Sequence, residues 1–535
     1  SNNTAVGKSA LVANTTGASN VAVGQASMDA STTGANNVAV GKDSLTENTT
    51  GSSNTAIGRS ALNNATTADN NTAVGYYALL ANTTGDRNVA VGTYALDANT
   101  TGRFNTAVGY NSGTGITTAS NNTYMGDHSG ALTTTGASNT AVGMSALYAN
   151  TTASNNTAVG FYSLVANTTG ADNASFGKDS MVSNTTGSHN TALGLGALAS
   201  NTTANQNTAM GRSALLANTT GVQNVAVGDY TLDANTTAHY NTAVGSHALT
   251  ANTTGTGNVG VGKDALLTNT TGNYNIGIGL DALTLNTTGA NNVGVGLNSL
   301  ISNTTGSGNV GVGRDTLLAN TTGSNSTAVG IDALTAQTSG DANTAVGSQA
   351  LMAITTGATS TAVGRNALKA ATTGSSNTAI GYNALDALTT ADSNTGVGYF
   401  ALSANTTGAE NTAIGASALV ANTTGAANTA LGINSLVANT TGANNTALGK
   451  SAGGLNVDDT ENVAIGYATN YPDGGSNVTA VGSQSLNANT ASDNTAVGAF
   501  SLGQNTSGAN NTAVGKSSMF ANTTGANNTV VGMQA

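Results

Sequence analysis

Residues that could perform chemistry are sparse in this 535-residue chain. Charged residues make up 7% of it, and cysteine and tryptophan are absent. The densest acidic group combines Asp458, Asp459, Glu461 and Asp473, whose carboxylate oxygens would suit Ca²⁺. Because their spacing follows no regular calcium-binding repeat, we expect a solvated bulge there, with a calcium loop as the alternative.

Motifs for catalysis are missing from the sequence. It contains no Gly-x-Ser-x-Gly elbow, no His-Glu-x-x-His zinc motif and no phosphate-binding loop in a suitable context. Carboxylate pairs in a groove between chains could hydrolyse a polysaccharide, but acids this scattered argue against a hydrolase. The sequence therefore predicts a protein that is not an enzyme and needs no cofactor.

Aromatic residues cluster at the two positions after a recurring glycine. These positions vary, so we expect them to be exposed and to provide any specific recognition. Aromatic faces there could stack on sugars, although aromatic ladders also stabilise strands by themselves. The candidate recognition residues are Tyr76, Tyr77, Tyr94, Tyr110, Phe161, Tyr162, Tyr399 and Phe400.

A 17-residue repeat positions all of these residues. The glycine that closes each Asn-Thr-Ala-Val-Gly motif recurs at 17-residue steps from Gly7 to Gly466, shortens to 16-residue steps at Gly482 and Gly498, and then resumes. Such a register is typical of stacked structural repeats. We expect residues 1–535 to form one continuous solenoid of about 32 coils, roughly 150 Å long at about 4.8 Å per coil. Irregular coils are expected near 110–132 and 450–482.

The pattern within one repeat predicts an all-β, parallel β-solenoid. The residue before the motif glycine is apolar throughout, and Thr or Val stands two residues earlier; these two share a face of a strand. Glycines and Asn-Thr-Thr-Gly punctuation exclude helices. We expect two short strands per coil, with the apolar residue before the glycine in the coil's own core.

The middle residue of the motif is nearly always alanine or glycine. Because it faces opposite to the valine, we expect it outside the coil, at a close approach to another chain. A tight turn within one chain is the alternative. The candidate oligomer-axis residues are Ala73, Ala141, Gly260, Gly277, Gly294 and Gly311.

The asparagine that opens each motif is nearly constant, with Ser326 and Ser360 as replacements. Stacked at the strand spacing, these amides are expected to hydrogen-bond from coil to coil. The Asn-x-Thr triplets, such as Asn82-Thr83-Thr84, also match the N-glycosylation acceptor. Ladders explain so many copies better than glycans do.

The net charge and the hydropathy of the chain argue against two classes of partner, nucleic acids and membranes. The formal charge of the chain is −11 and the sequence has no basic stripe, which argues against binding of nucleic acid. No apolar run is long enough for membrane insertion of this segment. The sequence starts in mid-repeat and resembles an excised or mature segment, so we expect missing neighbours or end-to-end joining with another copy.

The run Asn-Thr-Ala-Val-Gly-x-x-Ala-Leu, as in residues 71–79, resembles the head repeats of trimeric autotransporter adhesins (YadA-like). The Asn-Thr-Thr-Gly segment is similar to repeats of bacterial and phage tail-fibre-like proteins. The resemblance implies a left-handed β-roll, an intertwined or side-by-side homotrimer, and an extracellular location on a cell or virion surface. This repeat is longer than the usual adhesin repeat, and the chain shows no heptad stalk.

We therefore expect a structural extracellular fibre or adhesin that projects from a surface and attaches through its variable strip. Its partners would be copies of itself and surface glycans or proteins of a host or the environment. The alternatives are a self-assembling filament without a specific ligand, and an ice-binding solenoid that uses threonine pairs such as Thr83-Thr84 and Thr100-Thr101.

Overall fold

A computed structural model describes residues 2–469 and 475–535. These residues form an all-β parallel β-solenoid with one turn, or coil, per repeat of about 17 residues and no helix. The chain divides into two compact units, residues 1–271 (unit 1) and 272–535 (unit 2). The described residues of each unit contain 16 strands of three residues.

The strands of unit 1 are β1 (Thr4–Val6), β2 (Val21–Val23), β3 (Val38–Val40), β4 (Thr55–Ile57), β5 (Thr72–Val74), β6 (Val89–Val91), β7 (Thr106–Val108), β8 (Thr123–Met125), β9 (Thr140–Val142), β10 (Thr157–Val159), β11 (Ala174–Phe176), β12 (Thr191–Leu193), β13 (Thr208–Met210), β14 (Val225–Val227), β15 (Thr242–Val244) and β16 (Val259–Val261).

The strands of unit 2 are β17 (Ile276–Ile278), β18 (Val293–Val295), β19 (Val310–Val312), β20 (Thr327–Val329), β21 (Thr344–Val346), β22 (Thr361–Val363), β23 (Thr378–Ile380), β24 (Thr395–Val397), β25 (Thr412–Ile414), β26 (Thr429–Leu431), β27 (Thr446–Leu448), β28 (Val463–Ile465), β29 (Thr479–Val481), β30 (Thr495–Val497), β31 (Thr512–Val514) and β32 (Thr529–Val531).

Within each unit, every strand pairs in parallel with the next strand along the chain. Thr72 lies opposite Val89, one repeat later, and this 17-residue register recurs from pair to pair. The register shortens to 16 residues where β28 meets β29 and where β29 meets β30. A fixed register is what stacking of nearly identical coils requires.

The expectation of two strands per coil is wrong, because only the Thr-Ala-Val segment is extended. The core leucine four residues after the motif glycine is in the left-handed region, with φ of 52° at Leu79, and Tyr77 two residues earlier has φ of 59°. Alternating left-handed residues curl this segment into a turn. The motif glycine itself, as at Gly75 with φ of 142°, occupies a conformation that only glycine adopts readily.

The inside and outside faces of the strand are the reverse of the expectation. The middle residue of the strand points inward, and Ala73 and Ala141 have no exposed surface. The apolar residue before the glycine points outward, with 40% of Ile57 and 46% of Leu193 exposed. In a strand of three residues the first and third share one face and the middle one points to the other, so alternation alone could not say which face is buried.

The expectation that the alanine and glycine row lies outside the coil is therefore wrong. A Cβ built on Gly260 would lie 3.4 Å from Leu249 of the same chain. Leucine side chains of the preceding coil, in the interior of the same chain, confine these small residues: Leu249 lies against Gly260, and Leu283 lies against Gly294. The same interior location holds for all six candidate axis residues: Ala73, Ala141, Gly260, Gly277, Gly294 and Gly311.

Asparagine ladders hold the coils together, as the sequence predicts. The amide oxygen of Asn71 accepts the backbone N–H of Asn88 in the next coil at 2.9 Å, while its Nδ2 donates to Gly85 O at 2.9 Å. A second, interrupted ladder uses the asparagine of the Asn-Thr-Thr-Gly segment: Asn99 Nδ2 donates to Asn82 Oδ1 at 2.9 Å. Asn82 is fully buried, and its Nδ2 donates to Gly85 O at 3.0 Å, so this acceptor triplet offers no accessible nitrogen for a glycan.

Candidate recognition surfaces

Two kinds of exposed surface distinguish this solenoid. The first, which we call the strand face, consists of the first and third residues of every strand. The third residue is Val, Ile, Leu, Met or Phe in all 32 strands, and the first is Thr, Val, Ile or Ala. A freely solvated row would collect charged residues, and this one contains none.

Threonine is the first residue of most of the described strands. Among the described residues, no hydroxyl of a strand threonine donates or accepts a hydrogen bond within the chain. By contrast, Thr83 Oγ1 in the turn donates to Thr100 O of the next coil at 3.0 Å. The strand face thus combines a row of branched apolar side chains with a row of free hydroxyls.

The second surface is the aromatic strip of unit 1. It consists of Tyr76, Tyr77, Tyr94, Tyr110, His128, Tyr148, Phe161 and Tyr162, on six successive coils. Neighbouring rings lie close, with centroid distances of 4.0 Å for Tyr76–Tyr77, 5.7 Å for Tyr77–Tyr94 and 6.4 Å for Tyr94–Tyr110. The structure therefore joins four of the five sequence-predicted tyrosines of this unit, Tyr76, Tyr77, Tyr94 and Tyr110, by ring contacts.

Two members of the strip were not predicted from the sequence. His128 links Tyr110, at 5.4 Å, to Tyr148, at 6.2 Å, and so continues the row across the coil that lacks a tyrosine at the exposed position. Tyr148 comes five residues after its motif glycine, outside the two positions taken as exposed. Only the left-handed turn between these positions places the two ranks side by side.

An open groove of about 460 Å³ lies where the strip ends. It is lined by Ser145, Tyr148, Tyr162, Val165 and Val182. Phe161 packs beside Tyr162 with ring centroids 4.1 Å apart. This groove offers apolar walls with phenol and serine hydroxyls at its edges, the composition of a small-ligand site.

In unit 2 the predicted aromatic pair forms a much shorter patch. Tyr399 and Phe400 are 4.4 Å apart, and Tyr382, which was not predicted, stacks on Tyr399 at 5.7 Å. The patch covers two coils only.

Charged side chains on the same exposed positions are paired over short distances. Lys178 Nζ lies 2.8 Å from Asp179, and Arg314 Nε lies 3.2 Å from Asp315. Arg212 makes a two-pronged contact with Asp229 of the next coil at 2.7 and 3.1 Å. Such exposed pairs contribute little to stability. Burial raises the pKa of the half-buried Asp97, and a hydrogen bond from Thr114 opposes that rise.

The three calcium candidates that the structure describes, Asp458, Asp459 and Glu461, are not brought together as a metal site. Asp459 Oδ2 accepts the backbone N–H of Gly475 at 3.0 Å, and its backbone oxygen accepts from Asn445 at 2.8 Å. Among the described residues, no group of three or more His, Asp or Glu side chains could hold a metal ion. Asp473 lies outside the described residues. Asp458 and Glu461 therefore stay unassigned.

The first irregular region is an exchange of core side chains. Tyr124 takes the place of the inward alanine and is fully buried. Its ring fills the space of the missing leucines: a Cβ on Gly130 would lie 2.6 Å from the ring, and one on Gly113 would lie 2.9 Å from it. Its hydroxyl hydrogen-bonds Thr133 Oγ1 at 3.1 Å.

No helix in the described part of the chain is long and apolar enough to span a membrane. Comparison with known proteins adds no family: no protein-family model and no curated protein matches this sequence.

Proposed function

We propose that the protein is a structural extracellular fibre or adhesin, on a cell or virion surface, whose copies associate as a homotrimer through the strand face. The observation that carries the proposal is the outward row of apolar residues at the third strand position. Exposed, contiguous apolar surface of this kind marks an interaction site. The partner that packs on this row must present an apolar surface along its whole length.

A second copy of the same chain fits that requirement best. The strand face repeats at the coil spacing of about 4.8 Å, so its match is a surface with the same period and the same composition. Copies of this chain supply both, because the third strand residue is apolar in every coil of both units. The resemblance to trimeric adhesin heads supports three copies rather than two.

The oligomer axis proposed here differs from the one expected from the sequence. The alanine and glycine row is inside each coil and is unable to meet another chain. The valine row, expected in the core, is the surface free to do so. Trimerisation by this route would bury the valines and satisfy threonine hydroxyls at the same time.

Native mass tests the proposal. Light scattering should give about three times the chain mass of 51.8 kDa. Lysines at three spaced positions of the strand face, Val91→Lys, Val159→Lys and Val227→Lys together, should give a folded monomer, because unpaired charges would be buried at the interface.

The matched control places the same three charges on exposed apolar residues just after the motif glycine: Met144→Lys, Leu195→Lys and Leu280→Lys. This variant should keep the mass of the wild type. A monomeric wild-type protein would overturn the trimer, and a broad distribution of longer species would favour an end-to-end filament instead.

Ice binding is a second candidate, and the free hydroxyls of the strand threonines favour it. These hydroxyls alternate with apolar side chains on an extended, regular surface. The turn threonines expected from the sequence to bind ice, such as Thr83, instead donate their hydroxyls to backbone oxygens of the same chain. Ice and a partner chain would compete for the strand face. A monomer with thermal hysteresis supports ice binding, and a monomer without it ends that candidate.

A further inference from the structure

We propose that the aromatic strip of unit 1 is a binding site for a neutral, linear glycan that runs from coil to coil and ends in the groove at Tyr148 and Tyr162. This inference rests on the proposed attachment function and names the class of ligand to which the protein would attach. Its test does not depend on the oligomeric state, because the strip lies outside the strand face.

The length and continuity of the strip suit an extended ligand. Rings on six successive coils span about 24 Å at the coil spacing of about 4.8 Å. One coil is close to the length of one hexose unit in an extended polysaccharide, so successive sugars could meet successive ring positions. The two-coil patch at Tyr382, Tyr399 and Phe400 is too short for this.

Ring contacts within the strip leave surface for a ligand. Tyr110 remains 49% exposed, Phe161 39% and Tyr162 37%. The polarised C–H bonds on the flat side of a pyranose ring are attracted to the negative face of an aromatic ring. The exposed parts of these rings take no part in the ring-to-ring contacts and are available to a ligand.

Hydrogen-bonding groups for sugar hydroxyls lie along the same path. Within the described part of the chain, the phenol hydroxyls of Tyr94, Tyr110, Tyr148 and Tyr162 make no hydrogen bond to protein. Each can donate and accept, as a sugar hydroxyl requires. Near the middle, His128 contacts both Asn111 and Asp127, which adds an amide and a carboxylate to the row.

The charges favour a neutral ligand. The cations beside the strip are engaged already: Arg59 lies over Tyr76 at 5.8 Å, and Lys178 lies over Phe161 at 6.0 Å while pairing with Asp179. Near the centre of the strip, Asp127 has 49% of its side chain exposed and contacts His128, which carries a positive charge only when it is protonated. A sulfated or carboxylated chain would meet this carboxylate, whereas a neutral sugar would use it as an acceptor.

Calorimetric titration of the 535-residue chain tests the inference with four neutral probes: cellohexaose, chitohexaose, xylohexaose and mannohexaose. At least one should bind, and Tyr148→Ala with Tyr162→Ala should weaken it by about tenfold or more, the loss expected when stacking worth about 1.4 kcal/mol is removed. Tyr399→Ala in the short patch is the matched control and should leave binding unchanged.

Circular dichroism and native mass of each variant separate lost binding from lost folding, and Tyr110→Ala gives a second variant if the double substitution fails to fold. Failure of all four neutral probes overturns the inference, and so does binding of only a heparin hexasaccharide or only a proline-rich peptide. Equal loss with Tyr399→Ala would overturn the assignment to the strip. Because native mass is measured separately, a trimer that binds no glycan leaves the proposed oligomer standing.

Discussion

The regular coils and the coils around Tyr124 fill the same interior with different side chains. In a regular coil, the inward residue is alanine or glycine and leucines occupy the turns, as Leu249 does beneath Gly260. Around Tyr124 the large side chain comes from the strand, and Gly113 and Gly130 replace the leucines. The coil therefore conserves the filled volume, whichever segment supplies it.

The exchange shows that the turn does not depend on leucine for its shape. Gly130 has φ of 58° and Leu147, at the same position in the next coil, has φ of 55°. The backbone path is the same with either residue. Packing density, rather than local conformational preference, thus decides which residue stands there.

The hydrogen-bonding consequences of the exchange are also local. Ile116 stands where the second ladder has asparagine, and Asn99 Oδ1 is left buried without a hydrogen-bond partner. Thr133 replaces the following asparagine and bonds the Tyr124 hydroxyl instead. The apolar exchange therefore interrupts one ladder, while the ladder of motif asparagines continues through Asn105 and Asn122.

Removal of the Tyr124 ring should have the largest effect on the local stability of these coils. Tyr124→Ala leaves the coil with neither ring nor leucines, and the cavity should lower the local free energy of unfolding by about 3–5 kcal/mol. Hydrogen exchange of amides in residues 106–150 measures it, because a long repeat array does not unfold in two states.

Restoring the leucines should recover much of that loss. In the Tyr124→Ala background, Gly113→Leu with Gly130→Leu rebuilds the regular coil, and both backbones already have the φ that leucine adopts elsewhere. Protection that stays as low as in the single variant would mean that the volumes are not interchangeable.

Adding a leucine while the ring is present should have an intermediate effect. Gly130→Leu forces a side chain into the space of the Tyr124 ring, and overpacking should cost about 1–3 kcal/mol of local stability. The matched control is Gly453→Leu in unit 2, at the same position of its coil with φ of 58° but without a tyrosine. There a Cβ would lie 2.8 Å from the terminal Cδ2 of Leu436, and the next nearest atoms, on Leu436 and Ala447, are 3.7 and 3.9 Å away.

Equal amide protection losses in the two leucine variants would contradict the volume argument. They would indicate instead that glycine is required by the backbone at both positions. The expected result is a loss in residues 106–150 for Gly130→Leu and little change around Gly453.

The fold was largely predictable from the repeat, and the direction of its faces was not. A fixed 17-residue register with glycine and asparagine punctuation indicates stacked coils, and the ladder through Asn71 and Asn88 follows from it. Alternation in Thr72–Val74 shows two faces but not which is buried. The decisive fact is that the leucine segment is a left-handed turn, and leucine at φ near 50° is against its own preference.

The aromatic strip was predicted only where it consists of residues at the two positions directly after the motif glycine. Tyr77 and Tyr94 fall in that rank and contact each other as expected. Tyr148 lies in a different rank, brought near by the turn, and sequence spacing carries no signal for it. One feature of the sequence could have shown that the third strand residue points outward. This position never carries a charge, yet it accepts side chains as large as Met125 and Phe176, which a narrow, tightly packed core would not accommodate.

The smallest predicted effect concerns the Tyr124 hydroxyl at alkaline pH. Burial raises the pKa of this phenol above its ordinary value of 10.0, and the hydrogen bond with Thr133 opposes the rise. Below pH 10 the phenol is neutral in the folded and unfolded states alike, so it adds no pH dependence. Above pH 10 the unfolded state loses the proton first, and stability must fall.

The slope of that fall is bounded at about 1.4 kcal/mol per pH unit for one group. Tyr124→Phe keeps the ring volume and removes the ionisable proton, so the local stability of residues 106–150 should decline less above pH 10 in the variant than in the wild type. The exposed tyrosines are common to both proteins and cancel in the difference. If hydrogen exchange gave the same alkaline profile for both proteins, the Tyr124 hydroxyl would have to reach solvent. That result would contradict the closed interior described for the coils around Tyr124.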